Sequence, residues 1–397
     1  TDEFCSNVVG IDSAYTASVL MICVALIGVL VPIEMALHQL FFARPAPILR
    51  DVRTMEPPKL LLGEGDRYHL FLSHIWSTGQ DQCAVIKRQL QLLLPGIIVF
   101  LDVDDLQDIG DLEGYVRATS VVLFFLSKKY FGSRNCLKEV RATLEQKKPL
   151  VLVQEQQEDK GGGPIELLKA ECRDAEMREA IFNGRTPIVW HRISHFQNLT
   201  LKLIATEMLC NGPRFQRALS GGDAPEDLAL IQHGELNASK LTLPQHLVLW
   251  CSAGNPGAAE VAKELVISMG SNGAAIRVVD TMPDVKALKE RGESAAMLLY
   301  LNKTTWVEHS KVLERDVRAA RKLQADLKIV LVHENDKEKG WCEFGDFFET
   351  TPQELIDDGI YSDIAIALHT PPHRAVSLLL VAQALGATRR KGRLICG

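Results

Sequence analysis

The chain has 397 residues, of which 47 % are hydrophobic and 24 % charged, and carries a formal net charge of −6. That length and apolar content suit two or three globular domains with sizeable cores, while the acidic balance excludes the basic face that nucleic-acid binding requires. Nine scattered cysteines without a single Cys-x-x-Cys pair exclude a zinc module or a disulfide scaffold, so reduced thiols and no metal are expected.

The first predicted element is a membrane span. Ser13 to Ile33 is a run of 21 residues without a charge, bounded by Asp12 and Glu34. As a helix it covers roughly 30 Å, the thickness of a bilayer's hydrocarbon core. A secretory signal would have a basic leader and a shorter apolar run, whereas Asp2, Glu3 and Asp12 supply the opposite sign. A buried core helix is the bland alternative, but no charged stripe marks a solvated face. The span is therefore placed at 13–34. No Lys or Arg precedes it, and Arg44, Arg50, Arg53 and Lys59 follow it. The positive-inside rule then predicts a single visible span with the C-terminal domains cytoplasmic. Residues 35–65, with Pro45, Pro47, Pro57 and Pro58, read as a semi-stiff juxtamembrane linker outside any core.

Beyond the linker, apolar strand-like runs alternate with helical stretches. They centre near Leu70, Val99, Leu123, Val151 and Ile188, and again near Val248, Arg277, Leu298, Val330 and Ile364. Strands this continuously apolar, separated by helices, predict parallel sheets covered on both faces. Similar spacing in the two halves suggests a duplication. Local identity agrees: Glu139-Val-Arg-Ala142 parallels Asp316-Val-Arg-Ala319, and Val151-Leu-Val-Gln-Glu155 parallels Val330-Leu-Val-His-Glu334. The expected fold class is α/β, with two flavodoxin-like open parallel five-stranded sheets after an N-terminal transmembrane helix. The units run 66–210 and 244–386, joined by a linker at 211–243 and followed by a tail at 387–397.

Three stretches of the first unit carry a family resemblance. Phe71-Leu-Ser-His74 closes the first strand, and Phe100-Leu-Asp102 opens an acidic loop, Asp102-Val-Asp-Asp-Leu-Gln-Asp-Ile-Gly110. After the third strand comes Tyr130-Phe-Gly-Ser-Arg-Asn-Cys-Leu-Lys-Glu139. In that order they resemble the Toll/interleukin-1 receptor (TIR) domain, the last being similar to its Ser-x-x-Trp-Cys-x-x-Glu stretch. The second unit resembles a degenerate copy, without the Ser-His step, the acidic loop or the Cys-x-x-Glu.

The resemblance implies a signalling module that assembles with other TIR domains, homotypically or heterotypically, through a loop containing Asp102, Asp104, Asp105, Asp108 and Gly110. It also implies NAD+ as a possible substrate rather than a cofactor. In family members that cleave NAD+, a glutamate at the position of Glu139 contacts the ribose beside nicotinamide, and Ser73, Ser133, Asn135 and Cys136 fall where the dinucleotide would bind. Breaking a glycosidic bond builds positive charge on the sugar, which a fixed carboxylate stabilises. Ser133 is a natural cap for the helix that carries Glu139. The aromatic residue that such enzymes place four positions before the glutamate is Asn135 here, and the second copy aligns Asp316 with Glu139. From the residues alone, a solvated acid in a helix's first turns stands beside the catalytic reading.

Three further patterns were weighed. Asp102-Val-Asp104 after an apolar strand is similar to the haloacid-dehalogenase phosphatase signature, a remote alternative needing both carboxylates beside phosphate and Mg²⁺. Lys160-Gly-Gly-Gly-Pro164 lacks the spacing of a phosphate-binding loop. Ser73 and His74 are adjacent on a strand, so their side chains point to opposite faces and do not make a nucleophile–base pair. The expectation is thus a membrane-anchored signalling protein acting through TIR assembly, with NAD+ glycohydrolase as the alternative.

Overall fold

A computed structural model describes residues 14–42, 47–102, 111–213, 228–232, 235–307 and 310–389. Helix α1 (Ala14–Phe42) is uncharged up to Glu34, and its stretch Ser18–Met35 buries nothing against the rest of the described residues. It is long and apolar enough to cross a membrane. The helix runs eight residues past the expected boundary at 34, because Ala36-Leu-His-Gln-Leu-Phe-Phe42 continues with good helix formers.

The first sheet contains β2 (Tyr68–Ser73), β3 (Val99–Phe100), β4 (Thr119–Leu126), β5 (Leu150–Glu155) and β6 (Ile188–Trp190). Their order is β3-β2-β4-β5-β6, every pair parallel. All eight residues of β4 are buried, as expected of a central strand covered on both faces. Alternate residues feed two layers. Leu70, Leu72, Val121, Leu123 and Phe125 pack against α2 (Trp76–Leu93) and a C-terminal helix, Ser194–Asn211. Phe71, Phe100, Val122, Phe124 and Leu126 pack against α3 (Leu112–Arg117) and α4 (Arg134–Glu145). Two short helices, α5 (Ile165–Glu171) and α6 (Ala175–Phe182), complete that second layer, and Ser194–Asn211 is α7.

The second sheet repeats the plan. Strands β9 (Leu247–Trp250), β10 (Ile276–Val279), β11 (Ser294–Leu301), β12 (Leu327–Glu334) and β13 (Ile366–Leu368) lie in the order β10-β9-β11-β12-β13, again all parallel. Its flanking helices include α8 (Ala258–Ser268), α9 (Val285–Glu290), α10 (Ser310–Lys322) and, after two short helical turns, α11 (Arg374–Ala384). Both sheets reverse direction of growth beside their first strand, the switch-point arrangement of flavodoxin-like folds. Nine of the ten expected strand centres fall within strands. The exception is Ile364, 94 % exposed and two residues before β13, because the strand begins only at Ile366.

Neither linker is a free spacer. Strand β1 (Leu49–Asp51) pairs antiparallel with β7 (Leu230–Gln232), joining the two segments expected to be linkers. Leu49 is fully buried in the first unit's core, and Leu60, Leu228 and Leu230 pack there too. Likewise β8 (Leu241–Thr242) pairs with β14 (Thr388–Arg389), so the start of the expected tail closes on the second unit. Proline content marked these segments as extended, but extended chain with spaced leucines also packs onto a neighbouring core.

Candidate functional site

The first sheet ends, at the carboxyl tips of β2 and β4, in a buried polar cluster. Ser73 is the last residue of β2, and its Oγ lies 2.5 Å from both the Tyr130 hydroxyl and Glu139 Oε2. Ser73 donates to Glu139. With its one proton committed, Ser73 accepts from Tyr130. Glu139 is 4 % exposed, so the solvated-acid reading is overturned. It sits five residues into α4, whose inward face also buries Cys136, Val140 and Thr143, the i, i+3, i+4, i+7 pattern of a core-facing helix.

Ser133 is the N-cap of α4, as expected, with its side chain accepting from the Cys136 amide at 3.3 Å. Cys136 is buried and its thiol donates to the His74 carbonyl at 3.3 Å. Asn135 lies on the exposed side of α4, away from the cluster. Ser73, Cys136 and Glu139 are therefore brought together, Ser133 acts through the helix, and Asn135 stands apart. Of the acidic loop, Asp102 is described, whereas Asp104, Asp105, Asp108 and Gly110 lie outside the described residues. Asp102 accepts from the Trp76 indole and lies 3.7 Å from His74 Nε2, an atom with no hydrogen-bond partner. His74 thus turns toward Asp102 while Ser73 turns toward Glu139, the opposite orientation expected of adjacent strand residues.

Burial governs the electrostatics. Loss of water pushes the Glu139 carboxyl up to about 8; the Ser73 hydrogen bond opposes this and the nearby Asp102 charge adds to it. Glu139 is accordingly protonated at neutral pH in this arrangement. Burial also pushes the Cys136 thiol up to about 12 and lowers His74, the latter against the pull of Asp102. Two cavities of the first unit are lined by other residues. A groove beside α4 to α6 is bordered by Lys129, Phe131, Arg141, Glu171, Arg173 and Met177. A small enclosed space lies among Leu60, Leu61, His69, Ser120 and Met208.

The second unit holds a counterpart. Ser252, two residues after β9, donates to Asp316 Oδ2 at 2.7 Å, with both side chains buried. There Arg315 also binds Asp316 Oδ1, at 3.0 and 2.9 Å, so the carboxylate carries a fixed counter-charge that Glu139 lacks. The resemblance extends to the fourth strands. Glu155 and Glu334 are fully buried at the ends of β5 and β12, and each meets an arginine, Arg192 at 2.6 Å and Arg374 at 3.0 Å. The loops that follow close alike, with Lys128 donating its amide to the Gly161 carbonyl and Lys303 to that of Gly340. These contacts and the strand order are common to the two units.

Sequence reasoning missed Tyr130 as a partner of the acid and Ser252 as the counterpart of Ser73. The signal for Tyr130 was its place nine residues before Glu139 on the turn into α4; nothing short of the folded sheet brings its hydroxyl to β2. No family model and no curated protein matches this sequence. Among solved structures, the C-terminal domain of glucosamine-fructose-6-phosphate aminotransferase from Francisella tularensis is 9 % identical over 83 % of this chain and 87 % of that one, with a TM-score of 0.16. A likeness that slight carries no argument about fold or function.

Proposed function

We propose that this chain is a membrane-anchored signal-transduction protein that acts through assembly of TIR-like domains held on the cytoplasmic face. The reading rests first on the resemblance of the first unit's motifs. The observation that carries it further is the enclosure of Glu139: a protonated, hydrogen-bonded carboxyl without water is a poor open active site, whereas the surrounding fold is a complete module for surface contacts. Exposed, unpartnered apolar helix α1 supports anchoring, and the basic residues that follow it support a cytoplasmic placement of both units. Anchoring concentrates the domains in two dimensions, so weak contacts suffice once chains cluster. The acidic loop is the expected contact. Charge reversal at Asp104 and Asp105 in the full-length protein should weaken self-association measured by sedimentation in detergent; an unaltered oligomer distribution would remove the loop from the assembly surface.

A second reading is favoured by one observation. A titratable group strongly perturbed by burial, at the carboxyl rim of an open α/β sheet, is a recurring mark of active sites. The protein is then a latent NAD+ glycohydrolase, in which assembly rehydrates Glu139 and lets its carboxylate face the ribosyl cation. Concentrated full-length protein, assembled, should release nicotinamide from NAD+, and diluted protein should not. Glu139→Ala should abolish the release; equal rates in both proteins would leave assembly as the sole activity. In the remote phosphatase alternative Asp102, which accepts from the Trp76 indole, would be the nucleophile, and Asp104 lies outside the described residues.

A further inference from the structure

The two units touch through equivalent residues. His191 directly follows β6 and His369 directly follows β13, and their rings lie 4.5 Å apart between centroids. His373, the N-cap of α11, lies 4.3 Å from His191, while Phe196 on α7 lies 4.5 Å from His369. The contact is reciprocal: the histidine after each fifth strand packs on the last helix of the other unit. One hydrogen bond crosses it. Thr200 Oγ1 donates to the Val189 carbonyl at 3.0 Å and lies 3.0 Å from His373 Nε2. Its single proton is spent on Val189, so His373 carries the proton on Nε2 and donates to Thr200.

Among the described residues, no carboxylate offsets charge on these rings. The electrostatic influences on His191 come from His369 and His373, and those on His369 from His373 and from His333 of β12. From α7 the facing groups are Phe196 and Thr200. The charged neighbours in sequence are engaged elsewhere: Arg192 with Glu155, and Arg374 with Glu264 and Glu334. Burial and repulsion hold His191 down to about 3 and His369 to about 4, and burial alone holds His373 to about 4. A proton on any of the three would put a charge without a counter-charge into a half-buried aromatic contact.

We propose that the second unit is an internal partner docked on the first through this reciprocal imidazole contact, and that acidification releases it. Separated histidines take up protons near pH 6.5, whereas docked ones resist them. Docking is therefore linked to proton release, and the contact is fully present above about pH 6.5 and weakens as pH falls below it. Each histidine shifts the equilibrium about tenfold per pH unit in that range, so three acting together shift it up to roughly a thousandfold. Release uncovers the β6 end and α7 of the first unit, a face of the same kind that a second chain's unit would present.

The test is energy transfer between donor and acceptor fluorophores on non-natural residues at the exposed positions Glu176 and Asp363 of the full-length protein in detergent. Transfer should change steeply between pH 7 and 5, with a slope above one proton, while far-ultraviolet circular dichroism stays constant. The triple variant His191→Phe, His369→Phe, His373→Gln keeps two of the three rings and a donor for Thr200 without the proton sites, and should hold the neutral-pH transfer down to pH 5. His191→Phe alone should lower the midpoint and the slope, which reads the linkage even if the triple variant disturbs packing. Transfer that is constant from pH 7 to 5, a change that tracks loss of helical signal, or single and triple variants titrating as the parent does would each overturn the proposal.

Discussion

At the residue scale, the buried side chain of Glu139 ends against the Ser73 hydroxyl, itself bonded to Tyr130, and this converts a surface-type residue into a pH-dependent liability. Its carboxyl sits near 8 when folded and near the ordinary 4.5 when unfolded. The folded state therefore binds the extra proton between those values, so its stability is greatest below about pH 4.5 and falls as pH rises toward 8. Glu139→Gln removes the titration and keeps the acceptor for Ser73. The variant should melt above the parent at pH 8, by at most about 5 kcal/mol from the size of the shift, and near it at pH 5. Chemical denaturation at the two pH values checks this, and a gap that does not widen with pH refutes the buried, protonated state. Second-unit Asp316, on α10, gives the contrast: with Arg315 bound to it, the corresponding helix acid is held as an ion pair.

Among the elements, α4 was the most legible. Ser133 as cap and an inward face at helical spacing both follow from local rules, and both are present. Which way Glu139 points was not legible, because an acid in the second turn of a helix satisfies the macrodipole equally well outside. The Lys160-Gly-Gly-Gly-Pro164 segment shows the converse. Its spacing is not that of a phosphate-binding loop, and its structural purpose needed the fold: Gly163 donates to the Glu155 carbonyl at 3.1 Å, wrapping the loop over the end of β5. A Cβ at Gly162 would lie 2.3 Å from that same carbonyl oxygen. Gly162→Ala should thus displace the loop and disturb the Glu155–Arg192 pair, lowering the thermal midpoint by several degrees for roughly 2 kcal/mol. An unshifted melt would mean that the loop is free to move away.

On the scale of the whole molecule, the described residues form one apolar helix and two open parallel sheets of the same strand order. Corresponding positions carry Ser73 and Ser252, Glu155 and Glu334, and His191 and His369, yet the helix acids differ in charge partner, since Asp316 meets Arg315. The segments expected as linkers are structural rather than passive, since β1 and β7 pair and Leu49 enters the first core.

Alternation of apolar runs with helical stretches, and their recurrence in the second half, determined the α/β class and both parallel sheets, because burial on two faces leaves a local imprint on composition. An uninterrupted apolar run determined the bilayer-length helix for the same reason. Only the tertiary structure decided that Glu139 is enclosed, that Tyr130 and Ser73 meet it, that the proline-rich segments pack, and that three histidines from two units share one contact. Those facts depend on residues tens to hundreds of positions apart, and no local pattern records which distant side chain will exclude the water.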